Sequence, residues 1–129
     1  FSVEGAPNPQ AEKNLEKYGV KDMVVLINDW SPWVQFDFSW RLDVLYIDGD
    51  HRYISTLVDY HVFNYFVVTG GYIIFHDSKY PYVAQAIEQA VKRDRLKPIA
   101  SENQLTVWQK TDKQKRVYYQ FPNYEFKAK

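Results

Sequence analysis

The chain has 129 residues, 46% of them apolar and 18% aromatic, enough for one domain with its own core and too apolar to stay disordered. Sixteen basic and sixteen acidic residues cancel, which removes the bulk electrostatic drive toward nucleic acid, and no apolar run approaches the roughly 18 residues that span a membrane. There is no Cys, hence no disulfide framework and no thiolate metal site; this fits a reducing compartment, and the cytoplasm is the expected location.

Residues 1–3 read as the end of a buried strand that reaches Glu4 and Gly5. Asn8-Pro9 starts a helix over 10–18, since Asn caps and Pro suits the first helical position, and Gly19 stops it. Residues 23–27 form an uninterrupted apolar run of strand length, followed by Asn28, Asp29 and Trp30. Residues 31–40 are aromatic-rich and irregular. Trp30, Trp33, Phe36, Phe38 and Trp40 suit a roof over a flat substrate, and equally a loop core or a partner interface. Residues 44–47 are the next strand. Residues 53–67 read as a helix with Ile54, Leu57, Val58, His61, Val62 and Tyr65 on one side, so His61 is expected to face the core. Thr69-Gly70-Gly71 reads as a turn and residues 72–75 as another apolar strand. Pro81 opens a helix to about residue 94 with Val83, Ala84, Ile87, Ala90 and Val91 inward. Residues 104–109 and 116–121 are strand-like around a polar turn at 111–115, predicting an antiparallel hairpin with Ile99 nearby.

Strand and helix alternate, and the strands are continuous apolar runs rather than alternating ones. That pattern predicts an α/β fold with a mostly parallel sheet covered on both faces. Two strands, ending at Asp48 and His76, are joined by one helix-length crossover and are therefore expected side by side and parallel. In such sheets ligands bind outside the carboxyl ends of the strands, so the strand tips are the candidate site.

The tips carry Asp48-Gly49-Asp50-His51 and His76-Asp77. A carboxylate at the end of a buried strand needs a partner, which marks Asp48 as a metal ligand or substrate contact. Asp50 reads first as a cap for the following helix. His51 divides evenly between a general base and a polar residue at a helix start. Asp48, His76 and Asp77 together offer two carboxylates and an imidazole, adequate for a divalent cation such as Mg²⁺ or Mn²⁺; the bland alternative has Asp77 or Ser78 capping the helix at Pro81. Glu4 is placed to accept from a ribose diol and Asp29 to meet an adenine amino group, against solvated loop carboxylates in both cases.

Ile47-Asp48-Gly49-Asp50-His51 and Gly70-Gly71-Tyr72-Ile73-Ile74-Phe75-His76-Asp77, a helix apart, resemble the paired motifs of class I S-adenosylmethionine-dependent methyltransferases, in the small-molecule O-methyltransferase-like branch. The resemblance runs from Val3 to about Lys110. It implies a Rossmann-like fold in which these elements are strands two to seven of a sheet ordered 3-2-1-4-5-7-6. It implies S-adenosylmethionine as cofactor, Glu4 on its ribose, Asp29 near its adenine, Asp48 beside it, and a small-molecule acceptor. It places a cation at Asp48, His76 and Asp77, where metal-dependent relatives usually carry Asp or Glu at the His76 position. His51 and His76 are the candidates for catalytic base. The family's first strand and G-x-G-x-G loop have no counterpart here, and the chain opens on Phe1; residues 1–129 are expected to be one domain, incomplete at its N-terminus.

The expected reaction is methyl transfer to a hydroxyl, in preference to an amine. Two alternatives come from other classes. Asp48-Gly49-Asp50 is also a D-x-D, as in a nucleotide-sugar glycosyltransferase holding Mn²⁺; and a degenerate methyltransferase-like module would bind without catalysis. Neither nucleic acid nor membrane is an expected partner, and a homo-oligomer is compatible with the chain.

Overall fold

The computed structural model describes residues 8–27, 29–31 and 39–111, together with the backbone of residues 120–121 and 124–125. The chain divides into two units, Phe1–Trp40 and Arg41–Lys129. Glu4 and the strand expected before it, together with Trp33, Phe36, Phe38 and most of the 116–121 segment, lie outside the described residues.

In the first unit, helix α1 (Pro9–Lys17) begins as its sequence dictates. The Asn8 side chain accepts from the Ala11 N–H at 3.1 Å and Pro9 occupies the first turn. Gly19, at φ +67°, supplies the left-handed residue that ends it. The strand expected over 23–27 is not formed. A single 3₁₀ turn (Lys21–Met23) starts the segment, with the Met23 and Val24 N–H groups donating to Val20 and Lys21 carbonyls. Residues 24–27 follow without a ladder partner among the described residues, and Met23, Val25 and Leu26 are exposed. An apolar run becomes a strand only where a neighbouring strand takes its N–H and C=O groups.

The second unit holds β1 (Leu42–Ile47), α2 (Tyr53–Asn64), β2 (Val67–Phe75), α3 (Pro81–Asp94), β3 (Lys97–Glu102) and β4 (Leu105–Gln109), with a separate antiparallel pair, β5 (Gln120–Phe121) and β6 (Tyr124–Glu125). The main sheet runs β1-β2-β4-β3. β1 and β2 are adjacent and parallel, in register from Val44–Tyr72 to Ile47–Phe75, as the single crossover through α2 required. β4 runs antiparallel to both β2 and β3, so the sheet is mixed rather than mostly parallel. The expected hairpin is corrected as well. β4 pairs with residues 97–102 through a turn at Asn103-Gln104, where Asn103 has φ 53°, and with β2 on its other side, while Gln120–Phe121 pair with Tyr124–Glu125; residues 116–119 lie outside the described residues.

Gly70 and Gly71 do not end a turn before β2; they lie inside it. The ladder to β1 skips between Leu42–Val67 and Val44–Tyr72, and Gly70 (φ +88°) takes up the extra residues as a bulge. A Cβ on Gly71 would stand 2.8 Å from Val67 Cγ1 and 2.9 Å from the Val68 carbonyl oxygen.

The core gathers on one face of the sheet. Leu45, Ile47, Ile73 and Phe75 are buried with Tyr60 and Phe63 of α2 and Val83, Ile87 and Ala90 of α3. α2 packs against β1, β2 and α3. The opposite face keeps Val44, Tyr46 and Tyr72 exposed at 50%, 51% and 39%, so the expected two-sided cover is not found among the described residues. The buried side of α2 also differs from the expected one. Thr56, Tyr60, Phe63 and Asn64 turn inward while Ile54 is exposed, and His61 is half-buried rather than core-facing. α2 is apolar on nearly every side, so its periodicity does not choose a face. Behind the core, Tyr60 Oη donates to Asp94, Asn64 Nδ2 donates to Tyr60 Oη at 2.8 Å, and Lys110 Nζ donates to the Asn64 and Val67 carbonyls at 2.9 and 2.7 Å. These bonds satisfy the end of α2 and the start of β2 where neither ladder nor helix can. Among the described residues no helix is long and apolar enough to cross a membrane.

Candidate functional site

The parallel ladder between β1 and β2 extends one step past Phe75, where the His76 N–H donates to the Ile47 carbonyl at 3.0 Å. That bond sets the two strand tips level. Asp48 leaves β1 and His76-Asp77 leave β2 side by side, so Asp48 meets residues 28 and 29 positions further along because one crossover returns the chain to the neighbouring strand. His76 Nδ1 lies 3.1 Å from Asp48 Oδ1 and 2.9 Å from Asp77 Oδ2. The donor atoms of all three residues fall within 4.8 Å of one another.

The tip of β2 is held firmly. Asp77 adopts φ 55°, a left-handed conformation that Asp tolerates better than most side chains. The Tyr80 N–H donates to the Asp77 carbonyl at 3.0 Å, and Ser78 donates to the Gln104 carbonyl from both its N–H (3.0 Å) and its Oγ (2.9 Å). The turn between β3 and β4 thus anchors the loop that carries the site.

His51 joins the cluster from the loop after β1. Its Nε2 is 2.7 Å from Asp77 Oδ2, and its ring stacks on Tyr80 with centroids 4.4 Å apart and planes 19° apart. Tyr46 flanks the other side, its ring centroid 6.4 Å from that of His76. Asp77, with the least exposed of these side chains (13%), therefore faces two imidazoles, one of them the half-exposed His51.

The charges follow. The Asp77 carboxyl is held below the usual carboxylate range, first by His76 and then by His51, against a desolvation cost. His76 is raised above the ordinary imidazole value, first by the Asp77 carboxylate, with Asp48 adding to it against desolvation. The contact is close but poorly directed: His76 Nδ1 is inaccessible to water and neither carboxylate oxygen lies along a proper N–H···O line. At these separations the imidazole and the two carboxylates interact as charges.

Asp50 is not the expected cap of α2, whose N-cap residue, Arg52, is held by no side-chain cap bond. It accepts from the Arg52 N–H and Nε and from Ser55 Oγ, ahead of α2, and the Arg52 guanidinium lowers its pKa. Neither Asp77 nor Ser78 caps α3, whose first residue follows Tyr80 without a side-chain cap. Asp29 lies in the other unit, exposed on a bend, its Oδ1 accepting from the Trp30 N–H at 2.8 Å. The structure thus brings together Asp48, His51, His76 and Asp77 of the expected residues. Tyr80 and Tyr46 were not singled out from the sequence. The signals for them are slight: an aromatic just before the Pro that opens α3, and an outward position on β1 next to its tip.

The family model described as a methyltransferase domain matches residues 1–78, which is 78 of 129 residues. The chain belongs to the methyltransferase-domain family. The family implies S-adenosylmethionine as its methyl donor, and the matched stretch ends at Ser78, one residue past Asp77. The fold agrees with that of a solved O-methyltransferase, NovP, at TM-score 0.65 over 83% of this chain and 46% of that one, with 21% identity. The β1-β2-β4-β3 order corresponds to the 4-5-7-6 run expected for this methyltransferase fold. An uncharacterised protein of Acanthamoeba polyphaga mimivirus, R132, is 44% identical over 36 residues, 28% of this chain and 16% of that protein. The methyltransferase chain thus spans about half the length of the solved relative and a smaller share of the viral one.

Proposed function

We propose that this methyltransferase domain serves transfer of a methyl group from S-adenosylmethionine to a hydroxyl of a small molecule, in preference to an amine. The observation that carries the reading is the meeting of Asp48, His51, His76 and Asp77 at the tips of two adjacent parallel strands, in a chain of this family.

The cofactor, when bound, supplies an electrophilic methyl on sulfur. What the chain's residues contribute is alignment and proton removal, and positioning of an acceptor against a reacting centre is worth up to roughly 7–11 kcal/mol in favourable cases. His51 is the base in this reading. Asp77 orients its ring from one edge and Tyr80 from one face, the base-and-orienter arrangement of general base catalysis. His76 is the second candidate, more enclosed and already committed to two carboxylates. Asp48 borders the cofactor, Glu4 takes its ribose and Asp29 its adenine, an assignment supported by the family's pattern.

A divalent cation, Mg²⁺ or Mn²⁺ in metal-dependent relatives, fits Asp48, His76 and Asp77. Two carboxylate oxygens and an imidazole nitrogen without a directed hydrogen bond converge there. Bound, it would lower the pKa of an acceptor hydroxyl. A small-molecule acceptor, no nucleic-acid or membrane partner, a cytoplasmic location and a homo-oligomeric state complete the proposal.

Calorimetry of the full-length protein with S-adenosylhomocysteine tests it, followed by label transfer from methyl-labelled donor to a panel of phenols, alcohols and amines. Binding and transfer to a hydroxyl are expected, with turnover lost in His51→Ala. Binding of uridine diphosphate with Mn²⁺ instead would turn the reading to the glycosyltransferase. Cofactor binding without transfer to any acceptor would leave a non-catalytic module.

A further inference from the structure

Of the three donors at the strand tips, two are carboxylates and the third is an imidazole, His76, on a buried strand's end. The imidazole is committed to the cluster by geometry. Its Nδ1 is closed to water, and its only close polar neighbours given by the structure are Asp48 Oδ1 and Asp77 Oδ2 at 3.1 and 2.9 Å, neither along the N–H direction. A nitrogen so placed presents its lone pair, or a badly aimed proton, to the space the two carboxylates share. The two separations from His76 Nδ1 also match those of neighbouring ligands on one ion, with all three donors within 4.8 Å of one another. Adjacent ligands on an octahedral cation with bonds of ~2.1 Å stand about 3.0 Å apart.

We propose that His76 makes the Asp48–His76–Asp77 cluster a site for a first-row transition ion rather than for Mg²⁺. The inference rests on the cation reading above and adds which ion the donors select. Mg²⁺ is a hard ion that prefers oxygen and gives up water reluctantly, so replacing one carboxylate by a neutral imidazole removes both charge and a favoured donor. Imidazole suits the later first-row ions, whose affinity for nitrogen rises along the series from Mn²⁺. His51 stands beside the cluster with its Nε2 on Asp77 Oδ2, in the place of an outer partner that holds a ligating carboxylate in position. The Tyr46 ring lies near the imidazole, its centroid 6.4 Å from that of His76.

The test uses Co²⁺ as the probe ion and has two readouts that need no turnover. Calorimetry of the full-length protein with Co²⁺ and with Mg²⁺ gives an affinity ratio. Proton NMR of the Co²⁺-loaded protein is expected to show a hyperfine-shifted, exchangeable imidazole N–H. His76→Asp is expected to abolish that resonance and to lower the Co²⁺/Mg²⁺ affinity ratio about tenfold or more. His51→Gln is expected to keep the resonance. The wild-type spectrum decides the ligand even if His76→Asp fails to fold. Co²⁺ and Mg²⁺ binding without a shifted imidazole resonance would overturn the inference and leave the cation reading standing. A resonance lost in His51→Gln would also overturn it, by moving the ligand to His51. Binding of neither ion at millimolar concentration, with S-adenosylhomocysteine present, would overturn both and leave His76 as an imidazolium bridging two carboxylates.

Discussion

Asp77 is the residue on which the candidate site turns. Its carboxylate is shared by two imidazoles, and its backbone occupies a conformation open to few side chains. Asp77→Asn keeps the left-handed backbone accessible and the side-chain volume, and removes the charge. Turnover is expected to fall about 10–100-fold, the usual loss when a carboxylate that holds a ligand or base is neutralised, with little change in the thermal midpoint. Unchanged turnover with a shifted midpoint would make Asp77 a structural residue. His61 shows the opposite use of an imidazole. Burial first, then Arg93, whose Nη1 lies 3.4 Å from both ring nitrogens, pushes its pKa down to about 4. Between that value and the ordinary imidazole range the unfolded chain binds a proton that the folded one refuses. The stability from neutral His61 is thus present above the unfolded pKa and lost as pH falls toward about 4. The ring is partly solvated, so screening reduces the loss to about 1–2 kcal/mol. Urea unfolding of the wild type and His61→Gln at pH values on either side of that window should show the difference; parallel stability curves would contradict it.

The element that most constrains the site is β2. It is paired on both sides, buries Ile73 and Phe75, and ends in His76-Asp77. Its start is bent by the Gly70-Gly71 bulge, and Gly71 is so closed in that an added Cβ would meet Val67 Cγ1 and the Val68 carbonyl oxygen of β2 itself at 2.8 and 2.9 Å and the Asp43 carbonyl oxygen of β1 at 3.0 Å. Backbone cannot yield as a flexible side-chain end does. Gly71→Ala is expected to cost about 1–3 kcal/mol in denaturant unfolding, the range of overpacking substitutions. Gly49→Ala meets only the Asp59 carboxylate end, at 2.9 Å, and is expected to cost less. Equal stability of the two variants would mean that the bulge relaxes freely.

Across the whole molecule, pairing and burial rank the elements by resistance to opening. β2 lies between β1 and β4, and its Ile73 and Phe75 are almost fully buried, at 0% and 1% exposure. Amides of Ile73 and Phe75 are expected to exchange slowest in native-state hydrogen exchange, and those of the exposed strand β3 much faster. Slowest exchange in β3 would contradict the observed strand order. The same order places the site where it is stiffest, since Asp48, His76 and Asp77 continue the best-paired strands.

Local signals made much of this chain legible. Asn8-Pro9 and Pro81 start helices because caps and proline act within one turn, and α3 spans 81–94 as its periodicity predicts. One crossover helix between two apolar strands was enough to bring Asp48 beside His76, because such connections are short and one-handed. Other features depended on partners distant in sequence. The apolar run at 23–27 shows no strand partner among the described residues, and β4 takes residues 97–102 on one side and β2 on the other. The inward face of α2 was chosen by the sheet it meets, since an evenly apolar helix carries no preference of its own. The stack of His51 on Tyr80 and the reach of Asp77 to two imidazoles exist because the loops after β1 and β2 converge at the carboxyl ends of two paired strands. Propensity and spacing act over a few residues and are written in the chain; register, bulges and side-chain convergence come from long-range packing, which the folded sheet alone supplies.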